Sequence, residues 1–509
     1  MEQKPLYITT TLPYVNADPH IGFALEAVQA DIIARYHRLA GREVFFNTGT
    51  DEHGQKIFQK AAEAGQDVQA YVDHFAAQFR KLKEGLNLSN DVFIRTTDPA
   101  HIAAAQELWQ RCVQNVDAEG RPDIYKKKYK GLYCVGDEMF LKETDLVDGK
   151  CPNHPNMQPV EIEEENYFFR LSRYQSYLHD YLSNSSVILP EWRREEALKF
   201  VDGGLEDFSI SRETARMSWG IPVPGDTTQV MYVWFDALTN YISTLGWPHS
   251  AEASQDKPDS TDLFEKFWNN GEVVQMAGKD QVRFQSIMWQ AMLKSGGIKA
   301  TDTVVYHGFI TSGGQKMSKS LGNVIEPLAI AREYGVDALR YFLARHIHPF
   351  EDSDFTMERF KELYNANLAN GLGNLVRRVI TLARNNGVEL EKDERDSFDE
   401  IVRGNDQIYQ AFIRNLESYK ISDALDMIFG RDVPHTAIGW MDNSITQNKP
   451  FELVKTDLKA GQEAIWWLMK DLWSVATLLE PIMPDASIKI REAIVENKTD
   501  IPMLFPRKE

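Results

Sequence analysis

The 509-residue chain carries 56 Lys and Arg against 75 Asp and Glu, a formal net charge of −19, and is 43% hydrophobic and 26% charged. That length allows about three domains, each with its own core. The charge balance excludes bulk attraction to DNA or RNA, no apolar run reaches the roughly 18 residues a membrane span needs, and three cysteines exclude a disulfide scaffold and suit a reducing cytoplasm.

The N-terminus, Met1-Glu2-Gln3-Lys4-Pro5, has neither the basic-then-apolar order of a signal peptide nor an arginine-rich transit segment. Residues 6–40 read as strand, turn and helix. Leu6, Ile8 and Leu12 lie in a β-branched run that Pro13, Asn16, Asp18 and Pro19 break. Ile21, Leu25, Val28, Ile32, Tyr36 and Leu39 then recur at helical spacing, and Gly41 closes the segment. Pro19-His20-Ile21-Gly22 thus falls at a helix start, where unpaired amides and the positive dipole end favour an anion. Gly22 admits a ligand close to the backbone, and His20 can donate to a phosphate oxygen. A capped surface turn is the plainer alternative for these residues alone.

A second strand, Val44-Phe45-Phe46, ends in the polar loop Asn47 to Gly54, the place where open parallel sheets bind ligands. Asp51 could hold a cationic amine there, and His53 could serve the ligand or brace the loop. Helical text over 57–86 and 101–116 completes the βαβ alternation of an α/β domain. Near residue 117 the chain turns irregular, and Cys134-x-x-Asp137 with Cys151-x-x-His154 has knuckle spacing. Two such knuckles could supply four zinc ligands, or be held by ordinary packing. The basic spots, Lys126-Lys127-Lys128 with Lys130, Arg193-Arg194, Arg340 with Arg345, and Arg377-Arg378, read as solvated charged faces.

The α/β text resumes at Gln229–Ala237, where Trp234, Ala237 and Tyr241 could share one helical face, as core or as pocket wall. The strand Val273–Ala277 ends in Gly278-Lys279-Asp280, whose acidic residue can accept from ribose hydroxyls. After the buried strand Val304–Ile310 comes Thr311-Ser312-Gly313-Gly314-Gln315-Lys316-Met317-Ser318-Lys319-Ser320, a glycine-flanked loop with two lysines. Such an arm can close on a polyphosphate as charge builds on it.

Pro19-His20-Ile21-Gly22 and Lys316-Met317-Ser318-Lys319-Ser320, at the two ends of an α/β domain, resemble the two signatures of class I aminoacyl-tRNA synthetases. The finer text is similar to the methionyl members of that family: Thr11-Leu12-Pro13-Tyr14, Thr48 to Gly54, Tyr232 to Ala237, and Gly278-Lys279-Asp280. The likeness runs over nearly the whole chain, and an insertion of about a hundred residues leaves no room for the editing domain of the isoleucyl, valyl and leucyl relatives.

The resemblance implies a Rossmann-type parallel-sheet catalytic domain in two halves, 1–116 and 225–310, split by a connective insertion at 117–224. A lysine loop and stem-contact fold at 311–355 and an all-α anticodon-binding bundle at 356–509 would follow. It implies a methionine pocket of Leu12, Tyr14, Trp234, Ala237, Tyr241 and Gln285, with Asp51 on the ammonium. ATP, with Mg2+, would lie on His20, Gly22, Gly278, Asp280, Lys316 and Lys319. Anticodon contacts would fall on Asn374, Arg378 and Phe451, and tRNA(Met), both initiator and elongator, would be the partner. Zinc on Cys134, Asp137, Cys151 and His154 stays one of two readings, since Asp137 stands where zinc-binding members have cysteine. The chain ends at Glu509 without the appended tRNA-binding module of some relatives, which implies a monomer. Four further positions depart from the family pattern: Phe23 for a second signature histidine, Gln281 for an aliphatic residue, Gln285 for a histidine beside the methionine side chain, and Phe451 for tryptophan. Gln281 and Gln285 motivate one alternative within the family, activation of another small apolar amino acid, and Phe23 motivates one outside it, a tRNA-binding protein without catalysis.

Overall fold

The computed structural model describes residues 3–134, 139–141, 143–152, 156–248, 263–317, 322–404, 406–430, 436–496 and 504–508. The chain divides into two compact units, each assembled from three separate stretches.

The first unit comprises Met1–Pro19, Phe45–Lys81 and Asn90–Tyr306. Its centre is a six-stranded sheet of β1 (Leu6–Thr9), β2 (Val44–Thr50), β3 (Val92–Arg95), β4 (Ile188–Leu189), β5 (Glu272–Gly278) and β6 (Thr303–His307), in the order β3-β2-β1-β5-β6-β4. The pairs β1/β5, β2/β3 and β6/β4 are parallel. Every residue of β1 is buried, as expected of a strand covered on both faces. Strand order reverses between β1 and β5, so their carboxyl ends, near Thr10 and Gly278, flank the crevice where sheets of this class bind ligands. The α/β reading of the sequence is therefore realised.

Within the expected insertion, Ile124–Cys134, Met139–Leu141, Val160–Phe169 and Phe208–Ser209 form a four-stranded sheet. Its register sets Lys128 opposite Glu165 and Lys130 opposite Glu163. Lys126 Nζ lies 2.9 Å from Asp226 and 3.9 Å from Glu165, and Lys130 pairs with Glu161. Lys126 and Lys130 are thus paired with carboxylates, from the facing strand and from Asp226, as the reading of a solvated charged face expects.

The second unit comprises His20–Val44, Leu82–Ser89 and His307–Glu509. It contains the long helix α1 (Ile21–Leu39) and a run of helices that includes 327–334, 336–345, 374–385, 458–479 and 484–496. On the helix Leu458–Leu479, the residues Ile465, Leu468, Met469, Leu472, Val475 and Leu479 recur at helical spacing and are wholly buried. Arg340 corrects the sequence reading. It is not part of a solvated basic face but is 0% exposed, and Arg345 is bonded to Asp426 at 2.9 Å. Among the described residues no helix is long and apolar enough to cross a membrane.

The same long helix carries Asp471, whose carboxyl burial pushes up to about 7, with Asp406 adding to the effect. A carboxyl that binds its proton more tightly when folded stabilises the fold below its unfolded value of 3.8, and that stability is lost as pH rises through 7. Asp471→Asn is therefore expected to raise the melting temperature at pH 8 and to lose this advantage by pH 4, which thermal melts across pH would read.

Candidate active site

In the first unit, the loop after β1 runs alongside the end of β2. Thr10 N donates to Asn47 O at 3.2 Å, and Thr10 Oγ1 to Thr48 Oγ1 at 2.9 Å. Asp51 N then donates to Pro13 O at 2.9 Å and Val15 N to Asp51 O at 3.2 Å, which sets Tyr14 and Asp51 abreast as an isolated parallel bridge. Leu12 and Tyr14 are half-buried, and Asp51 is only 5% exposed. A carboxylate so withdrawn from water is suited to an ammonium that replaces its hydration.

The aromatic residues come from two later segments. Trp234 stacks on Phe284, with ring centroids 3.9 Å apart and planes at 13°. Gln285 Nε2 donates to the Tyr241 hydroxyl at 2.6 Å, and Tyr7 donates to Tyr241 O at 2.8 Å. Phe284–Met288 is a π-helical turn, a device frequent at functional sites, and Phe284 and Gln285 within it meet these two aromatic residues. Ala237, Tyr241 and Gln285 are buried. The result is an aromatic wall that includes the buried Gln285 amide, residue types that suit a flexible thioether.

Two polar ties join this wall to β2. Asn47 Nδ2 donates to Asn240 Oδ1 at 3.1 Å, and His53 Nδ1 lies 2.7 Å from Asp236 Oδ2. Asp236 Oδ1 is in turn 2.7 Å from His101 Nε2, and His101 Nδ1 is 2.9 Å from Ser243 Oγ. Burial pushes the Asp236 carboxyl up, but its two histidine partners outweigh this and hold it below the usual range. His53 thus braces the loop that carries Asp51. Sequence reasoning passed over Asp236 and His101 because 135 residues separate them.

At the carboxyl end of β5, Gly278 precedes the short turn Lys279–Gln281, on which Asp280 is exposed. Gln281 Nε2 donates to Asp280 Oδ2 at 3.0 Å, so this departure from the family pattern orients the acid beside it.

In the second unit, His20 caps α1. Its Nδ1 accepts from Gly22 N at 3.1 Å, and burial lowers the imidazole to about 4. The ring is therefore neutral at pH 7 with its proton on Nε2, ready to donate to an anion. A Cβ on Gly22 would stand 2.9 Å from His20 Cε1, so the folded-back ring requires glycine there. Phe23 lies against the same imidazole, with centroids 4.3 Å apart. The first turn of α1 has no acidic residue to offset the positive end of the helix. Ile21 N donates to Ile325 O at 3.0 Å, which ties this end to the chain just past the lysine loop.

That loop begins as a tight hairpin. Ile310–Ser312 pairs with Gln315–Lys316 around Gly313 and Gly314, whose φ values of +61° and +73° are those of a type I′ turn. Asp354 Oδ1 accepts from Gly314 N and from Thr311 Oγ1, both at 2.8 Å. Lys316 is exposed, with Nζ 5.9 Å from the Phe309 ring. Lys319 lies outside the described residues.

Among the helices, Asn374 is exposed at the start of Asn374–Asn385, and Arg378 one turn on pairs with Asp442 at 2.7 Å. Phe451 is 42% exposed, as a base-stacking residue must be and a core residue would not. Asp137 and His154 also lie outside the described residues. Cys134 and Cys151 are buried in a small apolar cluster with Leu141, and among the described residues no three His, Cys, Asp or Glu side chains gather as metal donors.

The family model of class I tRNA synthetases (M) matches residues 6–159 and 154–380. The methionine–tRNA ligase of Thermotoga maritima is 39% identical over 496 residues, covering 95% of this chain and 74% of that protein. That of Mesorhizobium japonicum is 38% identical over 511 residues, covering 98% and 93%. The Mycobacterium tuberculosis methionyl-tRNA synthetase in complex with methionyl-adenylate superposes with a TM-score of 0.84 at 34% identity, covering 100% of this chain and 99% of that one. A six-stranded parallel-type sheet with its order reversing at β1, a capped anion-ready helix and these whole-length likenesses agree, and the chain belongs to the class I tRNA synthetases, in their methionine–tRNA ligase branch.

Proposed function

We propose that the chain activates L-methionine with ATP and transfers it to tRNA(Met), initiator and elongator alike. The observation that carries this is the end of α1, where a neutral His20 keeps its Nε2–H for an anion within the same unit as the Lys316 hairpin. The methionine carboxylate attacks the α-phosphorus of ATP, pyrophosphate leaves, and a hydroxyl of the terminal tRNA ribose then takes the aminoacyl group and releases AMP. No side chain need become covalently attached; orientation and charge stabilisation carry the rate.

In this reading Asp51 holds the ammonium. Leu12, Tyr14, Trp234, Ala237, Tyr241 and Gln285 line the thioether. Gly278 and Asp280 take the ribose, and His20, Gly22, Lys316 and Lys319 take the phosphates. Magnesium arrives with ATP as part of the substrate. Two buried cysteines in an apolar cluster do not by themselves fit a four-ligand zinc site, and no step depends on zinc. Asn374, Arg378 and Phe451 read the anticodon, and the enzyme works as a cytoplasmic monomer.

Exchange of labelled pyrophosphate into ATP, run with each amino acid in turn, tests the reading. Methionine alone should support rapid exchange; equal exchange with another apolar amino acid would overturn the specificity. Binding of tRNA is expected to weaken at least tenfold between about 50 and 200 mM salt despite the net charge of −19, because local phosphate contacts release counterions. An affinity flat across that range would contradict direct phosphate contact.

A further inference from the structure

The geometry points to Arg340 as a positioning residue for the anion-binding end of α1. Its guanidinium uses all five of its N–H donors. Nε donates to Ile482 O at 2.8 Å. Nη1 donates to Leu86 O at 3.1 Å and Asn87 O at 3.3 Å. Nη2 donates to Pro481 O at 2.9 Å and meets Asp31 Oδ2 at 2.7 Å. Arg340 and Asp31 are both 0% exposed. Four stretches far apart in sequence therefore converge on one planar fork: the helix 336–345 that carries Arg340, α1, residues 86–87 and the turn 481–482.

Asp31 is the attachment point on α1, and it is as fully engaged as its partner. It accepts from Arg35 Nε at 2.8 Å and from Ser89 N and Oγ at 2.5 and 2.6 Å. Burial pushes its carboxyl up, but Arg340, Arg35 and Ser89 outweigh this and keep it below the usual range. Arg35 Nη2 adds a bond to Asn87 O at 2.8 Å. Further ties fix the helix at Ile21 to Ile325 and at Glu26 to His307, the latter at 2.8 Å.

A buried ion pair is weak evidence of stabilisation, since desolvation offsets much of its attraction. What a fully satisfied fork does supply is a unique position. Asp31 lies ten residues into α1, about 15 Å from its start, and a helix carries a displacement along its axis with little loss. An error of about 1 Å where His20 and Gly22 sit would cost up to about 100-fold in rate, by misplacing the phosphates that this helix start would hold. Lysine cannot substitute, because three donors on one nitrogen cannot reach carbonyls on both sides of the fork.

The inference rests on the reading of the α1 start as the ATP phosphate site, so Lys316→Ala serves as the reference. Three graded variants of the full chain test it, each assayed well below its own melting temperature and normalised to competent sites by the burst of adenylate. Ser89→Ala removes one hydroxyl, which donates to Asp31 at 2.6 Å and accepts from Arg38 Nη1 at 2.7 Å, and leaves every charge in place. Arg340→Lys keeps the charge and loses the fork, and Asp31→Asn loses the charge and keeps the shape. The expected result is an ATP KM that rises about threefold for Ser89→Ala and tenfold or more for the other two, with exchange kcat falling in the same order and methionine KM within about twofold. If every folded variant shows wild-type kcat and ATP KM per competent site, Arg340 is merely structural and the inference fails. Should the two charged-site variants not fold, Ser89→Ala alone decides it by the same criterion. If Lys316→Ala itself leaves exchange unchanged, it is the reading of the phosphate site that has failed.

Discussion

Replacing Lys316 with alanine is expected to slow methionine-dependent ATP–pyrophosphate exchange by about 10²–10³-fold, with methionine affinity within about twofold of the wild type. The magnitude follows from when the charge is needed. As the α-phosphorus is attacked, negative charge moves onto the departing pyrophosphate, and a cation that meets it there lowers the barrier without binding the ground state more tightly. Lys316 is suited to this because it stands exposed on a hairpin whose turn is set by two glycines and held by a hydrogen-bonded carboxylate. Those glycines are Gly313 and Gly314, the carboxylate is that of Asp354, and Lys316 Nζ lies 5.9 Å from the Phe309 ring. Methionine affinity should hold because the proposed amino-acid residues belong to the other unit. Steady-state exchange together with a tryptophan-fluorescence titration by methionine separates the two effects. An unchanged exchange rate would remove the hairpin from the mechanism.

Asp51→Asn is expected to do the reverse, raising the methionine KM by about 100-fold or more while ATP KM stays within a few-fold. The substitution preserves shape, and the backbone on which it sits is bonded to Pro13 O and Val15 N, so asparagine should occupy the same place. What disappears, in the proposed reading, is one buried carboxylate facing the substrate ammonium. Breaking such a pair typically costs about 3–5 kcal/mol because the remaining charge is left without compensation. A methionine KM that moved less than about fivefold would mean that Asp51 is not the ammonium partner. The bracing network makes a useful contrast, because Asp236 holds the loop through His53 without being placed on the substrate.

Three of the departures from the family pattern prove to have structural partners. Phe23 packs against His20, Gln281 donates to Asp280, and Gln285 donates to Tyr241. Each touches a residue of the proposed site, which is compatible with the same reaction through altered contacts.

The sequence by itself determined the local devices: the strand before Pro13, the helix start at Ile21, the glycine-flanked loop that carries Lys316 and the apolar stripe of the helix 458–479. Each follows from residues a few positions apart, through capping, turn conformation or periodicity, so a linear reading can find it. Only the tertiary structure decided that the chain interleaves two units, that Asp236 joins His53 to His101, and that Arg340 is a buried fork and not part of a solvated basic face. Those outcomes depend on partners as distant as residues 86 and 482, and four of Arg340's five acceptors are backbone carbonyls. A carbonyl oxygen is present at every position and carries no side-chain signature, so nothing in the sequence marks which ones a buried guanidinium will meet.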